Sequence, residues 1–288
     1  MIPALDAHHH LWDLRERRYP WLQDEPPADF RYGDTRPLRK NYLPADFLAD
    51  AQPCGVLKSV HVEAEWDPLD PVGETRWVTG LAARHGFPHA LVAQVWLDRD
   101  DVESVLAAQA SFALARGVRH KPEPGAMRSA RWRRGYALLQ RHGLHFELQA
   151  SWRELYDAAD LASAFPRTTL VLNHAGLPAD RTPEGLAGWR AAMRALADCA
   201  NAVVKISGLG IKGHPWRVAD QATVVLDAIA IFGAHRCVFA SNFPVDGLVG
   251  SYATIMNGFR EIVAGLPPAD QRALFWENAH RVYRIDGA

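Results

Sequence analysis

Short apolar segments alternate with longer amphipathic ones along most of the chain. The short segments are rich in Val, Ile, Leu and Ala, as buried parallel strands are, and several longer ones end in a glycine such as Gly86 or Gly143, a common helix cap. The pattern predicts eight strands, at residues 3–10, 56–63, 90–97, 117–121, 145–150, 168–174, 202–207 and 236–241. It predicts helices at residues 44–51, 73–85, 102–115, 130–142, 154–164, 185–200, 216–232, 251–264 and 268–284.

The order of these elements predicts an α/β fold. Eight βα units in 288 residues fit a single-domain (β/α)₈ TIM barrel spanning residues 1–288, with extra helix at the C-terminus. The rival is an open doubly wound sheet, which usually has a glycine-rich nucleotide turn after its first strand. Here His10 is followed by Leu-Trp-Asp, so the barrel is favoured.

The first strand is followed by a long polar, aromatic and proline-rich connection, residues 13–43. This length exceeds that of ordinary connectors, so the segment is either a disordered insert or a functional loop over a pocket. Its aromatic residues, including Tyr19 and Trp21, favour the second interpretation.

Composition and charge exclude several classes of partner. The chain is 48% hydrophobic and 23% charged with a formal net charge of −1, which is ordinary for a globular protein. Basic residues are not clustered as nucleic-acid binding requires, and no apolar run approaches the roughly 20 residues of a membrane span. Three scattered cysteines predict neither a disulfide framework nor a zinc ribbon. We expect a cytoplasmic protein with a small-molecule partner; a homo-oligomer is left open.

The histidines near the N-terminus are the first candidate chemistry. On a strand over residues 3–10, alternation puts Asp6, His8 and His10 on one side and turns His9 towards the helical layer. Two imidazoles two residues apart at a strand end converge on one point, which suits a divalent metal or a carbonyl that needs polarising.

Polar side chains also end the other strands. In a barrel of this type the chemistry lies at the carboxyl ends of the strands. There we find His61 and Glu63, Arg119 to Lys121, Glu147 and Gln149, His174, Lys205 and Ser207, and finally Ser241 and Asn242 followed by Asp246. Seven such ends predict an active site, because unpaired buried polar groups cost about 1–3 kcal/mol each.

Several of these side chains are candidates for substrate binding. Alternation places Arg119 and Lys121 inside and leaves His120 undecided; each cation could bind a substrate carboxylate or form an internal salt bridge. Glu63 is either a base or the partner of a cation. Aromatic side chains could form an apolar wall against the ring of a substrate. The predicted substrate-binding residues are Glu63, Arg119, His120, Lys121, Gln149, Lys205, Ser207, Trp12 and Trp66.

An ordered set of motifs resembles the lactonase branch of the amidohydrolase superfamily over nearly the whole chain. The motifs are Asp6-Ala7-His8-His9-His10-Leu11-Trp12-Asp13, Tyr42-Leu43-Pro44, Gly117-Val118-Arg119-His120, Asn173-His174-Ala175-Gly176-Leu177-Pro178, Val204-Lys205-Ile206-Ser207-Gly208, Ser241-Asn242-Phe243-Pro244 and residues 277–284. The resemblance implies a barrel hydrolase with His8, His10 and His174 in its mouth, as catalytic residues and as ligands of one divalent metal, zinc or manganese.

Asn242 departs from the pattern that the resemblance implies. The superfamily usually has an aspartate there, which binds metal and takes the proton of the attacking water. An amide cannot accept that proton and is a poor ligand for a hard cation, so we expect a weakly held metal or metal-independent catalysis. Asp246, Glu63 or His174 must then act as the base, and we favour Asp246 for its place on the last strand's loop.

The sequence therefore predicts a hydrolase that opens a small, polar, anionic lactone by attack of water on the ring carbonyl. One alternative is a metal-dependent decarboxylase or hydratase of aromatic acids, which the same superfamily contains. Another is a barrel that binds a sugar acid without converting it.

Overall fold

The computed structural model describes residues 2–15, 17–24 and 30–285. Its parallel strands are β1 (Ala4–His9), β2 (Val56–Val62), β3 (Ala90–Gln94), β4 (Ala115–His120), β5 (His145–Leu148), β6 (Leu170–Leu172), β7 (Ala202–Ile206) and β8 (Cys237–Phe239). They pair in chain order, and the backbone N–H of Asn242 donates to the His8 carbonyl at 2.8 Å. This contact joins the last strand to the first and confirms the predicted TIM barrel.

Helices follow the strands and cover the barrel. They are α1 (Pro20–Gln23), α2 (Pro44–Ala51), α3 (Gly73–His85), α4 (Val102–Ala110), α5 (Ala130–Leu138), α6 (Leu155–Ala164), α7 (Pro183–Ala197), α8 (Val218–Phe232), α9 (Tyr252–Ile262), α10 (Pro268–Arg272) and α11 (Asn278–Val282). In the part of the chain that the structure describes, no helix combines the length and apolarity needed to cross a membrane.

Several elements are shorter than the sequence pattern predicts. The strand expected at 168–174 stops at Leu172, because His174 and Ala175 adopt left-handed φ values of 54° and 49° in a tight turn. The helix expected over 268–284 is interrupted by a π-helical segment, Ala273–Glu277, between α10 and α11.

The prediction that Asp6 shares a face with His8 and His10 is wrong. The register of β1 against β2 shifts between Asp6 and His9, so that an extra residue of β1 reverses the alternation. Asp6 therefore points outwards, where it accepts hydrogen bonds from Ser241 Oγ at 2.6 Å and from Tyr252 Oη of α9 at 2.9 Å. The shift turns His8 and His10 into the barrel.

The inside of the barrel is apolar below the mouth and polar at the mouth. The inner apolar cluster includes Leu5, Ala7, Val60, Val62, Val92, Val171, Val203 and Val238. His9 faces the helical layer as expected, stacked on Phe47 of α2 with ring centroids 3.9 Å apart. The apolar layers thus support a polar ring of side chains at the carboxyl ends of the strands.

The connection after β1 returns along the mouth of the barrel. It is tied to the barrel wall where Trp12 and Tyr42 exchange two backbone hydrogen bonds of 3.0 Å. Between them lie α1 and a 3₁₀ turn, Arg36–Leu38, and Trp21, Phe30 and Arg31 line a cavity at the mouth. The prolines at 26 and 27 lie outside the described residues.

Candidate active site

A cavity of about 330 Å³ opens at the carboxyl ends of the strands, where the sequence predicts the chemistry. It is lined by His10, Trp21, Phe30, Arg31, Ala64, Glu65, Arg119, Lys121, Gln149, His174, Leu177, Asn242 and Val245. Side chains from β1, β4 and the turns after β5, β6 and β8 therefore meet in one place.

The three predicted histidines converge beneath this cavity. The Nε2 atoms of His8 and His10 are 3.2 Å apart, and the rings of His8 and His174 have centroids 4.9 Å apart. Burial lowers the pKa of each well below its usual range. Lys205 acts in the same direction on His8, Arg119 on His10 and Arg31 on His174. All three rings are therefore neutral at pH 7.

The neighbours of His10 fix where its proton lies, while those of His8 compete for its one lone pair. The Val62 carbonyl can only accept, so the hydrogen bond of 2.8 Å means that His10 Nδ1 carries the proton and Nε2 has a free lone pair. The Lys205 ammonium can only donate, and its Nζ lies 3.3 Å from His8 Nδ1. Arg119 Nη1 can also only donate and lies 3.4 Å from His8 Nε2, so the neutral ring accepts from one of these cations and carries its proton on the nitrogen that faces the other.

Lys205 is held in place by a buried carboxylate. Its Nζ donates to Glu147 Oε2 at 2.7 Å and Oε1 at 2.9 Å, while Tyr283 Oη and Asn173 Nδ2 donate to the same carboxylate at 2.6 and 2.8 Å. Burial lowers the pKa of Lys205 to about 8, and Glu147 opposes this. Although burial favours the neutral acid, Lys205 holds the pKa of Glu147 far below its usual range.

Arg119 provides a second donor beside His8. Its Nε donates to Glu63 Oε1 at 2.5 Å, and its Nη1 lies 3.4 Å from His8 Nε2 and 3.3 Å from Gln149 Oε1. In the tautomer in which His8 accepts from Lys205, His8 Nε2 carries a proton, and the Arg119 N–H and the His8 N–H are two neighbouring donors. Such a pair can stabilise a developing oxyanion.

Asn242 provides a second acceptor beside His10. Its backbone has a left-handed φ of 55°, and its Nδ2 donates to Asp246 Oδ1, which leaves Oδ1 of the amide facing His10 Nε2 at 3.4 Å. Two acceptors facing each other at this distance can both accept from one water molecule or substrate hydroxyl. The cluster therefore offers a donor pair for a carbonyl next to an acceptor pair for water.

Asp246 lies behind Asn242, not in the cavity wall. Its side chain is only 1% exposed, and burial raises its pKa to about 6, opposed by Arg31. Asn242 contacts both this carboxylate and His10, and Asp246 does not line the cavity, so direct proton transfer to Asp246 stays a prediction. The contact of Asp246 with Asn242 Nδ2 orients the amide.

Other predicted substrate-binding residues are placed away from the cavity. His120 faces the helical layer, where its Nδ1 accepts hydrogen bonds from Trp132 Nε1 at 3.1 Å and from the Leu97 backbone at 3.2 Å. This resolves the alternation left open at Arg119 to Lys121: Arg119 points inwards and His120 outwards. His120 also lines a second cavity of about 290 Å³, which shares Trp21, Glu65, Arg119 and Lys121 with the first, so its role in substrate binding stays a prediction.

The two tryptophans of the predicted wall contact other aromatic rings, and Trp66 also lines the second cavity. Trp12 stacks on His10 with ring centroids 6.4 Å apart and donates to the Lys40 carbonyl, while Trp66 packs edge-on against Tyr19. Neither lines the mouth cavity, whereas Trp21 does.

The remaining predicted residues support those in the cavity wall. Ser207 Oγ is 2.9 Å from His174 Nδ1, Lys205 lies beneath His8, and Glu63 pairs with Arg119. Lys121 and Gln149 do line the cavity as expected, although Lys121 forms an ion pair with Glu65.

Sequence reasoning missed six cavity-lining side chains: Phe30, Arg31, Ala64, Glu65, Leu177 and Val245. Arg31 and Phe30 lie in the connection after β1, where no periodic pattern points to a surface. Glu65 and Leu177 have left-handed φ values of 58° and 53°. The sequence does not indicate this backbone conformation, because neither residue is a glycine. Only the aromatic content of the connection gave a general indication.

A metal ion fits this cluster only in part. His8 Nε2 and His10 Nε2, at 3.2 Å, have nearly the roughly 3.3 Å spacing of two nitrogens on tetrahedral zinc. Each ligand nitrogen must offer a lone pair, however, and His8 Nε2 has none in the tautomer that accepts from Lys205. Within the described ranges, no three or more His, Cys, Asp or Glu side chains are grouped to hold a metal ion. As arranged, the donors do not fit the predicted set of His8, His10 and His174 around a metal.

The fold and the histidine cluster define a barrel of the amidohydrolase kind, and comparison with known proteins agrees. The family model described as amidohydrolase matches residues 5–285, so this chain belongs to the amidohydrolase family. It is 40% identical over 298 residues to an uncharacterised protein, y4mH, of Sinorhizobium fredii, covering 99% of both chains.

Two further relatives come from Burkholderia multivorans. The chain is 30% identical over 304 residues to an L-fucono-1,5-lactonase, covering 98% of this chain and 96% of the relative. It superposes with a TM-score of 0.85 on a crystal structure of an amidohydrolase with bound zinc, at 27% identity, covering 99% of this chain and all of the other.

Proposed function

We propose that this protein is a lactonase that opens a small, polar cyclic ester by attack of water on the ring carbonyl. The observation that carries the proposal is the meeting of His8 Nε2, Arg119 Nη1, His10 Nε2 and Asn242 Oδ1 at 3.2 to 3.4 Å. We take His8 in the tautomer that accepts from Lys205, which makes His8 Nε2–H and Arg119 Nη1–H a donor pair next to the acceptor pair of His10 Nε2 and Asn242 Oδ1. Similarity to an L-fucono-1,5-lactonase supports the same reaction class.

In this proposal the ring carbonyl oxygen accepts hydrogen bonds from His8 and Arg119. Positive charge fixed near that oxygen stabilises the tetrahedral oxyanion, and such preorganised electrostatics is usually the largest contribution to catalysis. Lys205 acts through His8: it holds the proton on Nε2 and adds positive charge beneath the ring. His174, bonded to Ser207, orients the substrate ring.

The attacking water donates one hydrogen bond to Asn242 Oδ1 and the other to His10 Nε2, which takes its proton as the water oxygen bonds to the carbonyl carbon. The ring C–O bond then breaks, and the same proton passes from His10 to the leaving alkoxide. Because burial lowers the pKa of His10, its imidazolium is a strong acid that gives the proton up readily. The product is the open hydroxy acid, and His10 returns to its starting state.

No step in this reaction is routed through a metal. Zinc or manganese binding stays a prediction, since it requires His8 to move its proton to Nδ1 against Lys205. If a divalent ion were bound, His8 and His10 would hold it, and it would polarise the carbonyl as a Lewis acid.

A pH-indicator screen of aldonolactones and pyrone carboxylates tests the proposal, run with a chelator and with added zinc or manganese. We expect saturable acid release from at least one lactone, at the same rate with and without the chelator. Saturable binding of lactones without acid release would instead support a non-catalytic sugar-acid-binding barrel. Release of carbon dioxide from aromatic acids, lost on chelation, would support the metal-dependent decarboxylase.

The pH dependence of the reaction should follow Asp246. Ionised Asp246 accepts from Asn242 Nδ2 and so keeps the amide oxygen towards the water. Because its pKa is raised to about 6, the carboxylate is protonated as the pH falls through 6, and kcat/KM should decrease on that side. In Asp246→Asn this decrease of kcat/KM at low pH, the acid limb of the pH profile, should move or disappear. An unchanged limb near pH 6 in that variant would show that another group titrates.

A further inference from the structure

Three cationic side chains line the mouth cavity, and they differ in how fully they are paired. They are Arg31, from the connection after β1, Arg119, from β4, and Lys121, just beyond β4. A cation without a carboxylate partner at the wall of a binding cavity is free to bind an anionic group of a ligand.

Arg119 and Lys121 already have carboxylate partners. Arg119 donates to the side chain of Glu63 through Nε and to its backbone carbonyl through Nη2, and both side chains are at most 4% exposed. Lys121 forms its ion pair with Glu65. A substrate carboxylate at either cation would compete with a pair that is already made.

Arg31 is different. Its nearest carboxylate oxygen in an ion pair is Asp246 Oδ1, 3.9 Å from its Nη2, and Asn242 already donates to that oxygen. Its Nη1 is buried and has no hydrogen-bond acceptor among the residues that the structure describes. A buried N–H of a charged group costs free energy unless an acceptor reaches it, so Arg31 is ready to accept an anionic partner.

Arg31 also lies next to the reacting groups. At Gly208, which has a left-handed φ of 60°, a Cβ atom would come within 2.5 Å of His174 Nδ1 and 3.1 Å of Arg31 Nη2. Arg31 and His174 therefore approach each other over this glycine. The reacting carbonyl and an anionic group at Arg31 can belong to one small molecule.

Part of the cavity lining is aromatic and apolar. The rings of Trp21 and Phe30 stack with centroids 6.0 Å apart and an interplanar angle of 19°, and Leu177 and Val245 complete this part. A ring can pack against this surface while its polar substituents face the cations.

We propose that Arg31 binds a carboxylate carried by the lactone and so makes the enzyme selective for anionic lactones. This inference rests on the proposed lactonase function and assigns the selecting residue of the same site. Arg31 is a substrate-binding residue in this account, while His8, Arg119, His10 and Asn242 act on the ester.

A matched pair of substrates tests this assignment. A glucaric acid monolactone has a free carboxylate where the corresponding gluconolactone has a hydroxymethyl group, and a pyrone carboxylate can be compared with its methyl ester. For the wild-type protein we expect higher kcat/KM for the carboxylate member of a pair. In Arg31→Met that value should fall by roughly 10- to 100-fold, mainly through KM, as the loss of a charged hydrogen bond predicts. For the uncharged member of the pair, kcat/KM should change by less than about 3-fold.

Two further variants control for folding and for charge in general. Arg31→Lys should recover part of the preference, because it restores the charge without the planar guanidinium. Arg36→Met, in the same connection, removes an exposed arginine paired with Asp34 and should leave the preference unchanged. The inference is overturned if Arg31→Met, or Arg31→Lys should the former not fold, keeps the wild-type preference, or if the wild-type protein has none. Failure of the wild-type protein to open any lactone would instead overturn the proposed function itself.

Discussion

Replacing His10 with asparagine should lower kcat by about 10²- to 10⁴-fold, the range expected on losing a general acid–base residue. The asparagine amide nitrogen can take the position of imidazole Nδ1 and keep donating to the Val62 carbonyl, a bond of 2.8 Å in the wild-type protein. It has no atom at the position of Nε2, so the water loses its proton acceptor. Steady-state hydrolysis of the best lactone measures the effect, and circular dichroism checks the fold.

His9 provides the matched control for this variant. It is adjacent in the chain, but its ring stacks on Phe47 and its Nε2 is 3.0 Å from Ser59 Oγ, on the helical side of the barrel. His9→Asn should therefore lower the unfolding free energy while kcat of the folded protein stays near the wild-type value. Equal losses of kcat in the two variants would contradict the role given to His10 Nε2.

Replacing Lys205 with methionine should have a large effect on both stability and activity. Glu147 would be left buried without its cation, and breaking a buried pair in this way costs about 3–5 kcal/mol of unfolding free energy. His8 would also lose the donor that keeps its proton on Nε2. We expect a lower urea midpoint together with a loss of kcat of roughly 10²-fold or more, comparable to removal of an oxyanion donor.

The double variant Lys205→Met/Glu147→Gln separates these two effects. With both charges removed, no uncompensated buried carboxylate remains, so most of the stability should return. The low kcat should persist, because a methionine cannot donate to His8 Nδ1. If the double variant is as active as the wild-type protein, the tautomer of His8 does not depend on Lys205.

Alternation along the strands predicts much of this site from sequence. Arg119, Lys205 and Ser207 point into the barrel because the apolar neighbours Val118, Val204 and Ile206 face the helices. The strand ends also indicated His8, His10 and His174, whose rings meet although the chain separates them by up to 166 residues. Where the backbone is regular, the periodic pattern is sufficient to predict which side chains point into the barrel.

The failures occur where the backbone is irregular. The extra residue between Asp6 and His9 reverses the face of β1, and nothing in the residue types announces it. His174 reaches the mouth through two left-handed residues, not by continuing the strand after Leu172. Arg31 sits on a connection without regular structure, whose course is set by tertiary contacts such as the pairing of Trp12 with Tyr42.

Asn242 shows how a single residue can change the use of a site without changing its shape. The amide keeps hydrogen bonds to both sides, donating to Asp246 and facing His10 with its oxygen. It carries no charge, and the cations that lower the pKa of the rings, Lys205, Arg119 and Arg31, each have a carboxylate partner, Glu147, Glu63 and Asp246.

The most direct test is a crystal structure of His10→Asn soaked with the lactone that the wild-type protein opens fastest. The account predicts an intact ring whose carbonyl oxygen lies within hydrogen-bond distance of both His8 Nε2 and Arg119 Nη1. A bound lactone whose carbonyl oxygen contacts neither of these nitrogens would contradict it.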